Sequence, residues 1–133
     1  MIPKFRAWDK HESVMRDVAV LLFTKSGKIN FIEYWKNPSE LKSYHVRNIE
    51  LIQSTGLKDK KDVEIFEGDV VKKTNGSIGY VVYLQQEAGF VVVLKKSDYR
   101  LGHRNTGESY TEATNHEVIG NIYENPELLE EVK

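Results

Sequence analysis

Phe66 to Leu94 is the stretch that most restricts what this chain can fold into. Phe66-Glu67-Gly68-Asp69 leads into the branched pair Val70-Val71, and Thr74-Asn75-Gly76 then reverses the chain. Asn-Gly tolerates the positive φ angles that a two-residue hairpin needs, so it is a strong short-range hairpin signal. Gly79 to Leu84 forms the next apolar run. Phe90-Val91-Val92-Val93-Leu94 follows after the loop Gln85-Gln86-Glu87-Ala88-Gly89. Three strands joined by tight turns make a meander. Gly68 permits a corner closed to other residues, and the Asp69 carboxylate can bond backbone donors that fix the turn. We therefore read Gly68 and Asp69 as structural turn residues.

The rest of the chain leans the same way. It holds 14 Val and 9 Ile against 4 Ala, and branched side chains favour pleated surfaces over helices. Lys4 to Trp8 reads as a strand. Val18 to Phe23 is a continuous apolar run that suits a strand buried on both faces. Lys25-Ser26-Gly27-Lys28 turns it into Ile29–Trp35. Asn37-Pro38-Ser39-Glu40 has the form of a helix start, with an Asn cap and Pro at the first helical position. That predicts a short helix ending near Tyr44. Arg47–Gln53 alternates as a strand, residues 96–116 read as a long polar loop with room for one irregular strand, and Glu117–Tyr123 is a last strand. Asn125-Pro126 opens a short terminal turn. The two Asn-Pro segments resemble each other only as helix openings, and the sequence holds no repeat. A Gly-Asp corner followed by a Gly turn and Gly-x-Val-x-x-Leu occurs in SH3-like barrels. The expected fold is all-β: a β-rich N-terminal subdomain over residues 1–50 with a hairpin and a short helix, then an SH3-like small barrel over residues 51–133.

Few chemistries fit this sequence. It has no cysteine, which excludes disulfides and thiolate sites. Asp59, Asp62, Glu64, Glu67 and Asp69 cluster in sequence, but Lys58, Lys60 and Lys61 interleave with them and no calcium-loop spacing appears. A solvated or structural role is expected. His11, His45, His103 and His116 show no metal-ligand spacing. No nucleophile elbow or phosphate-binding Gly loop occurs. The expectation is a protein without catalytic residues, metal or cofactor. Nucleic-acid contact would fall to Lys4, Arg6, Lys58, Lys60 and Lys61, with Tyr80 or Tyr83 as stacking groups. Charge disfavours it: residues 1–50 carry net +3, residues 51–101 net +1 and residues 102–133 net −5, and an acidic end does not suit a phosphate backbone. No apolar run approaches the roughly 20 residues that span a bilayer, and no signal-peptide pattern opens the chain.

Three segments together resemble the YopX family of phage and prophage proteins. They are Lys4-Phe5-Arg6-Ala7-Trp8-Asp9; Thr55-Gly56-Leu57-Lys58-Asp59-Lys60 with Glu64-Ile65-Phe66-Glu67-Gly68-Asp69-Val70-Val71; and Glu117-Val118-Ile119-Gly120-Asn121-Ile122-Tyr123-Glu124-Asn125-Pro126-Glu127-Leu128-Leu129. Their order and spacing span nearly the whole chain. One departure stands out: the family often has Asn-Gly where this chain has Lys61-Asp62, which puts the loop conformation there in question. The resemblance implies a β-rich fold, a phage-borne gene, a place in the cytoplasm of a bacterial host cell, and no assigned activity.

Binding a protein partner is thus the expected role, with a nucleic-acid-associated barrel as the alternative. Self-association is a special case. Phe90, Val91, Val92, Val93 and Leu94 are apolar toward both faces, as is Val18–Phe23. A small domain has limited interior in which to cover both.

Overall fold

The computed structural model describes residues 4–85, 89–94, 98–101, 110–111 and 113–131. The chain divides into two units, Ile2–Gln53 and Ser54–Lys133, with Met1 grouped with the second.

In the first unit β1 (Phe5–Asp9), β2 (Val14–Phe23), β3 (Ile29–Asn37) and β4 (Glu40–His45) follow one another as an antiparallel meander. A single 3-10 turn, Val46–Asn48, then leads into β5 (Ile49–Lys58), which returns to pair β1 from Asp9↔Ile49 to Phe5↔Gln53. The strand order β4-β3-β2-β1-β5 is that of an SH3-like barrel. Its core gathers Ala7, Ile32, Tyr34 and Ile49, flanked by Val18, Leu21, Tyr44 and Leu51.

The second unit repeats this order. After the hairpin between the end of β5 and β6 (Glu64–Phe66), the strands β7 (Asp69–Lys73), β8 (Ile78–Leu84), β9 (Gly89–Val93) and β10 (Asp98–Leu101) form a second antiparallel meander. β11 (Tyr110–Thr111) lies parallel to β10. A 3-10 turn, Ala113–Asn115, precedes β12 (His116–Asn121), and β12 returns to pair β7. Ile65, Val71, Val81, Val92, Leu101 and Ala113 fill the core. Pro126–Glu131 ends the described chain as a 3-10 turn. The fold is all-β, and among the described residues no helix is long and apolar enough to cross a membrane.

Three expectations need correction. Residues 96–116 hold more than a loop: β10 pairs antiparallel with β9, β11 lies beside it, and Leu101 is buried in the core, because strand pairing across the sheet overrides the polar composition of the stretch. The short helix near 38–44 is the strand β4. Asn37 Oδ1 accepts the Ser39 backbone N–H at 3.0 Å, and Asn37 Nδ2 donates to Glu40. The side-chain bond that would cap a helix here closes a hairpin instead, because Asx turns and caps share one geometry. The run Val18–Phe23 is not buried on both faces. None of its residues is buried, and Phe23 is 59% exposed. A bulge between Val18 and Val20 turns β2 out of line, so its second half pairs with β3 alone. At the departure from the family pattern, Asp62 takes φ +67, the region Asn and Gly favour. Its N–H donates to the Asp59 carbonyl at 3.0 Å.

Candidate functional site

Two buried carboxylates hold the units' irregular segments. Asp9 closes the β1–β2 turn. Its Oδ1 accepts the His11 and Glu12 backbone N–H groups at 2.9 and 3.1 Å and the Tyr44 hydroxyl at 3.3 Å. Arg16 reaches its Oδ2 at 3.4 Å, also pairs with Glu12, and lies 4.8 Å from the centre of the Tyr34 ring. Burial pushes the Asp9 carboxyl up. The two backbone donors and the Arg16 guanidinium outweigh it and hold the group below its ordinary value.

Asp59 does the same in the second unit. Oδ1 accepts Lys61 N–H at 2.8 Å and Val63 N–H at 2.9 Å; Oδ2 accepts Val118 N–H on β12 at 2.8 Å. Lys60 N–H donates to the His116 carbonyl at 2.9 Å. The turn is thereby fastened along the outer edge of β12. Burial again opposes the charge, and the three donors again prevail.

These shifts fix a sign. A carboxyl held below its unfolded value contributes stability above that value and loses it as pH falls through the folded one. The ordinary value is 3.8 for both groups. Stability should therefore drop as pH falls from about the ordinary value of 3.8 through the lower folded-state values, and Asp59→Asn should flatten that drop. Urea midpoints across the range check it. An equal slope in the variant would remove Asp59 from the account.

The sequence candidates are all accommodated within this framework. Asp62 pairs with Lys58, Glu64 accepts the Ser54 hydroxyl, and Glu67 accepts Tyr83 N–H at 3.4 Å. Asp69 Oδ2 accepts Phe66 N–H at 2.8 Å. Lys60 and Lys61 both reach Glu117, at 3.8 and 3.0 Å. Lys4 and Arg6 lie in the first unit and also have partners. The five basic candidates thus divide between the two units. His11 meets Asn48, His45 accepts Arg47 N–H, His116 is fully buried, and His103 lies outside the described residues. Among the described residues no His, Asp or Glu group is arranged to hold a metal. Val91 and Val92 are buried in their own unit's core, while Phe90, Val93 and Leu94 are half-buried.

Among the described residues, exposed apolar side chains gather in the first unit, on the outer face of β2, β3 and β4. Cross-strand partners share a face. Leu22, Phe31 and His45 therefore line up across the three strands, Val20, Glu33 and Ser43 form the next row, and Trp35 faces Leu41. Trp35 is 46% exposed and Leu22 42%; Phe31 and Leu41 are similarly open. The Phe31 and His45 rings meet edge to face at 4.9 Å. Beside the opposite edge of β2 a groove of about 570 Å³ is lined by Lys4, Phe5, Val18, Ala19, Val20, Leu21, Phe23 and Gln53. The sequence places Ile29–Trp35 in a strand but does not show which of its faces stays wet, because the segment that pairs with it, β4, opens with the residues of a helix start.

A doubled SH3-like strand order with carboxylate-fastened turns and no clustered catalytic groups among the described residues defines a class of small β proteins. Comparison places the chain within it. The family model described as YopX protein matches residues 4–130, and the chain belongs to the YopX family. The crystal structure of protein EF1440 from Enterococcus faecalis is similar at 30% identity, covering 97% of this chain and 99% of that one, with a TM-score of 0.63. Protein yopX from Bacillus subtilis shares the fold at 20% identity, with 94% and 96% covered and a TM-score of 0.56. No curated protein matches the chain.

Proposed function

We propose that this chain is a non-enzymatic protein-interaction module, phage-derived and working without a cofactor in the cytoplasm of a bacterial host. One observation carries the reading: the apolar outer face formed by Leu22, Phe31, Trp35 and Leu41. Exposed apolar side chains grouped on one sheet face mark interaction sites on soluble proteins, and Trp is among the commonest anchors at them. Among the described residues, the bound carboxylates and the lysines paired with them supply no proton-transfer pair and no sustained positive field, which supports the same reading.

The test uses the whole chain as bait in lysate of infected host cells, with and without nuclease. Wild type is compared with Phe31→Asp and Trp35→Asp. Both sites are exposed, so both variants should fold. Loss of an anchor should weaken a partner by about 30-fold or more. A partner retained by wild type after nuclease and lost by both variants supports the reading. A partner that nuclease removes from wild type supports the nucleic-acid alternative instead.

A further inference from the structure

The three rows on the outer face of β2, β3 and β4 hold a single carboxylate, and it sits in the middle. Glu33 is half-buried, with Val20 and Ser43 beside it across the strands and Phe31 and Trp35 two residues away along β3. Among the described residues its carboxylate has no hydrogen bond or ion pair. Lys42 does not answer it, being the cross-strand partner of Tyr34 and so on the face that holds the core. Arg16 lies on that same inner face, over the Tyr34 ring. A partner anchored on Phe31 and Trp35 covers Glu33 as well. A carboxylate taken out of water without a counter-charge is strongly unfavourable, so a purely apolar or acidic surface is rejected there. A second copy presenting the same rows would bring another Glu33 and no lysine or arginine within them.

We infer that the occupant of this face is a segment of a partner protein that sets an arginine on Glu33 and apolar side chains on Phe31 and Trp35 to either side. The inference rests on the interaction reading and names the chemistry of its partner. Arginine suits the place better than lysine. Its planar fork bonds a carboxylate through two N–H groups, and the same plane stacks on aromatic rings. Spacing agrees with an extended segment. Alternate residues of a strand stand about 7 Å apart on one face. An apolar-x-Arg-x-apolar sequence therefore lays three side chains over Phe31, Glu33 and Trp35 in step.

The probe is the capped peptide Leu-Ser-Arg-Ser-Leu, titrated into the full isotope-labelled chain. Binding is read from the nuclear magnetic resonance shift of the Trp35 indole N–H, assigned against Trp35→Phe. The Arg peptide should saturate that shift with a Kd of about 1 mM. The same peptide with citrulline, equal in shape without the charge, should bind about 10-fold more weakly, and with Glu more weakly still. Glu33→Gln should bring the Arg peptide down to the citrulline level. Glu33→Lys should reverse the order in favour of the Glu peptide. An Arg peptide that gives no saturation at about 10 times the expected Kd overturns the inference. So does an Arg peptide that binds wild type no better than citrulline, or one whose advantage survives Glu33→Gln. The wild-type comparison decides the matter whether or not either variant folds. The interaction reading fails separately, if wild type, Phe31→Asp and Trp35→Asp capture the same proteins from lysate. A partner lost by those two variants but indifferent to Glu33→Gln overturns the arginine alone.

Discussion

Asp59→Ala should cost the second unit about 3–4 kcal/mol, a large share of the roughly 5–15 kcal/mol that holds a domain folded. The carboxylate accepts three backbone N–H groups at 2.8–2.9 Å. Water can replace it at Lys61 and Val63, both exposed. It reaches Val118 less easily, because that donor faces the fastened turn on a half-buried strand. Each charge-assisted bond is worth about 1.5–3 kcal/mol, and a stranded donor costs about 1–3. Asp59→Asn should fall between the two. Its oxygen can keep Lys61 and Val63, but its amide then presents N–H to the Val118 N–H. Urea denaturation followed by far-UV circular dichroism measures both. A loss below about 1 kcal/mol for the alanine variant would show that the turn stays on β12 without the carboxylate.

Gly68→Val should cost about 2–4 kcal/mol, summing backbone strain and overpacking. Gly68 sits at φ +87, where a branched side chain is strained whatever the space around it. A Cβ there would also stand 2.9 Å from the Tyr123 ring. The backbone is held on both sides: Gly68 N–H donates to Val81 O at 2.7 Å, and its carbonyl accepts Ile122 N–H at 2.8 Å. The corner thus ties β8 to the segment after β12 and has little room to relax. Gly68→Ala should cost less, about 1–2 kcal/mol, because its methyl group adds one tight contact, with the Tyr123 ring, and ordinary contacts with Ile122. Equal melting temperatures for wild type and the valine variant would rule out the strained corner.

What the sequence disclosed was local. The Asn75-Gly76 reversal and the Gly68 corner depend on neighbours one or two residues away, so residue identity suffices to read them. The Asn37-Pro38 segment failed for a physical reason: one Asn oxygen on a backbone N–H serves a helix cap and a hairpin turn alike. β4, with Glu40, Leu41, Lys42 and Ser43 in succession, has too little apolar alternation to arbitrate. The long-range features were beyond reach. Nothing near Asp59 announces Val118 as its partner, and nothing near Asp9 announces Tyr44. The Asp9–Arg16–Tyr34–Tyr44 cluster went unnoticed because its members look like ordinary strand and turn residues until the strands are paired. The repeated strand order was hidden for a related reason. It lies in which strand returns to which, and the turns and core residues of the two units share no sequence pattern.

That repeated order has a consequence for how the chain is made. In each unit the last strand pairs with the first, so neither sheet has its full complement until its final residues exist. Synthesis reaches the two closures at different times. The partner of Phe5 is complete at Gln53, whereas Asp69 must wait for Asn121. Domains begin to organise as they emerge, the N-terminal one first. On a ribosome, all strands of the first unit are present while β7 to β10 of the second are still to come. Once β7 has emerged, the edge that will receive β12 stays open until His116–Asn121 follow, so a pause just before His116 leaves that edge exposed longest.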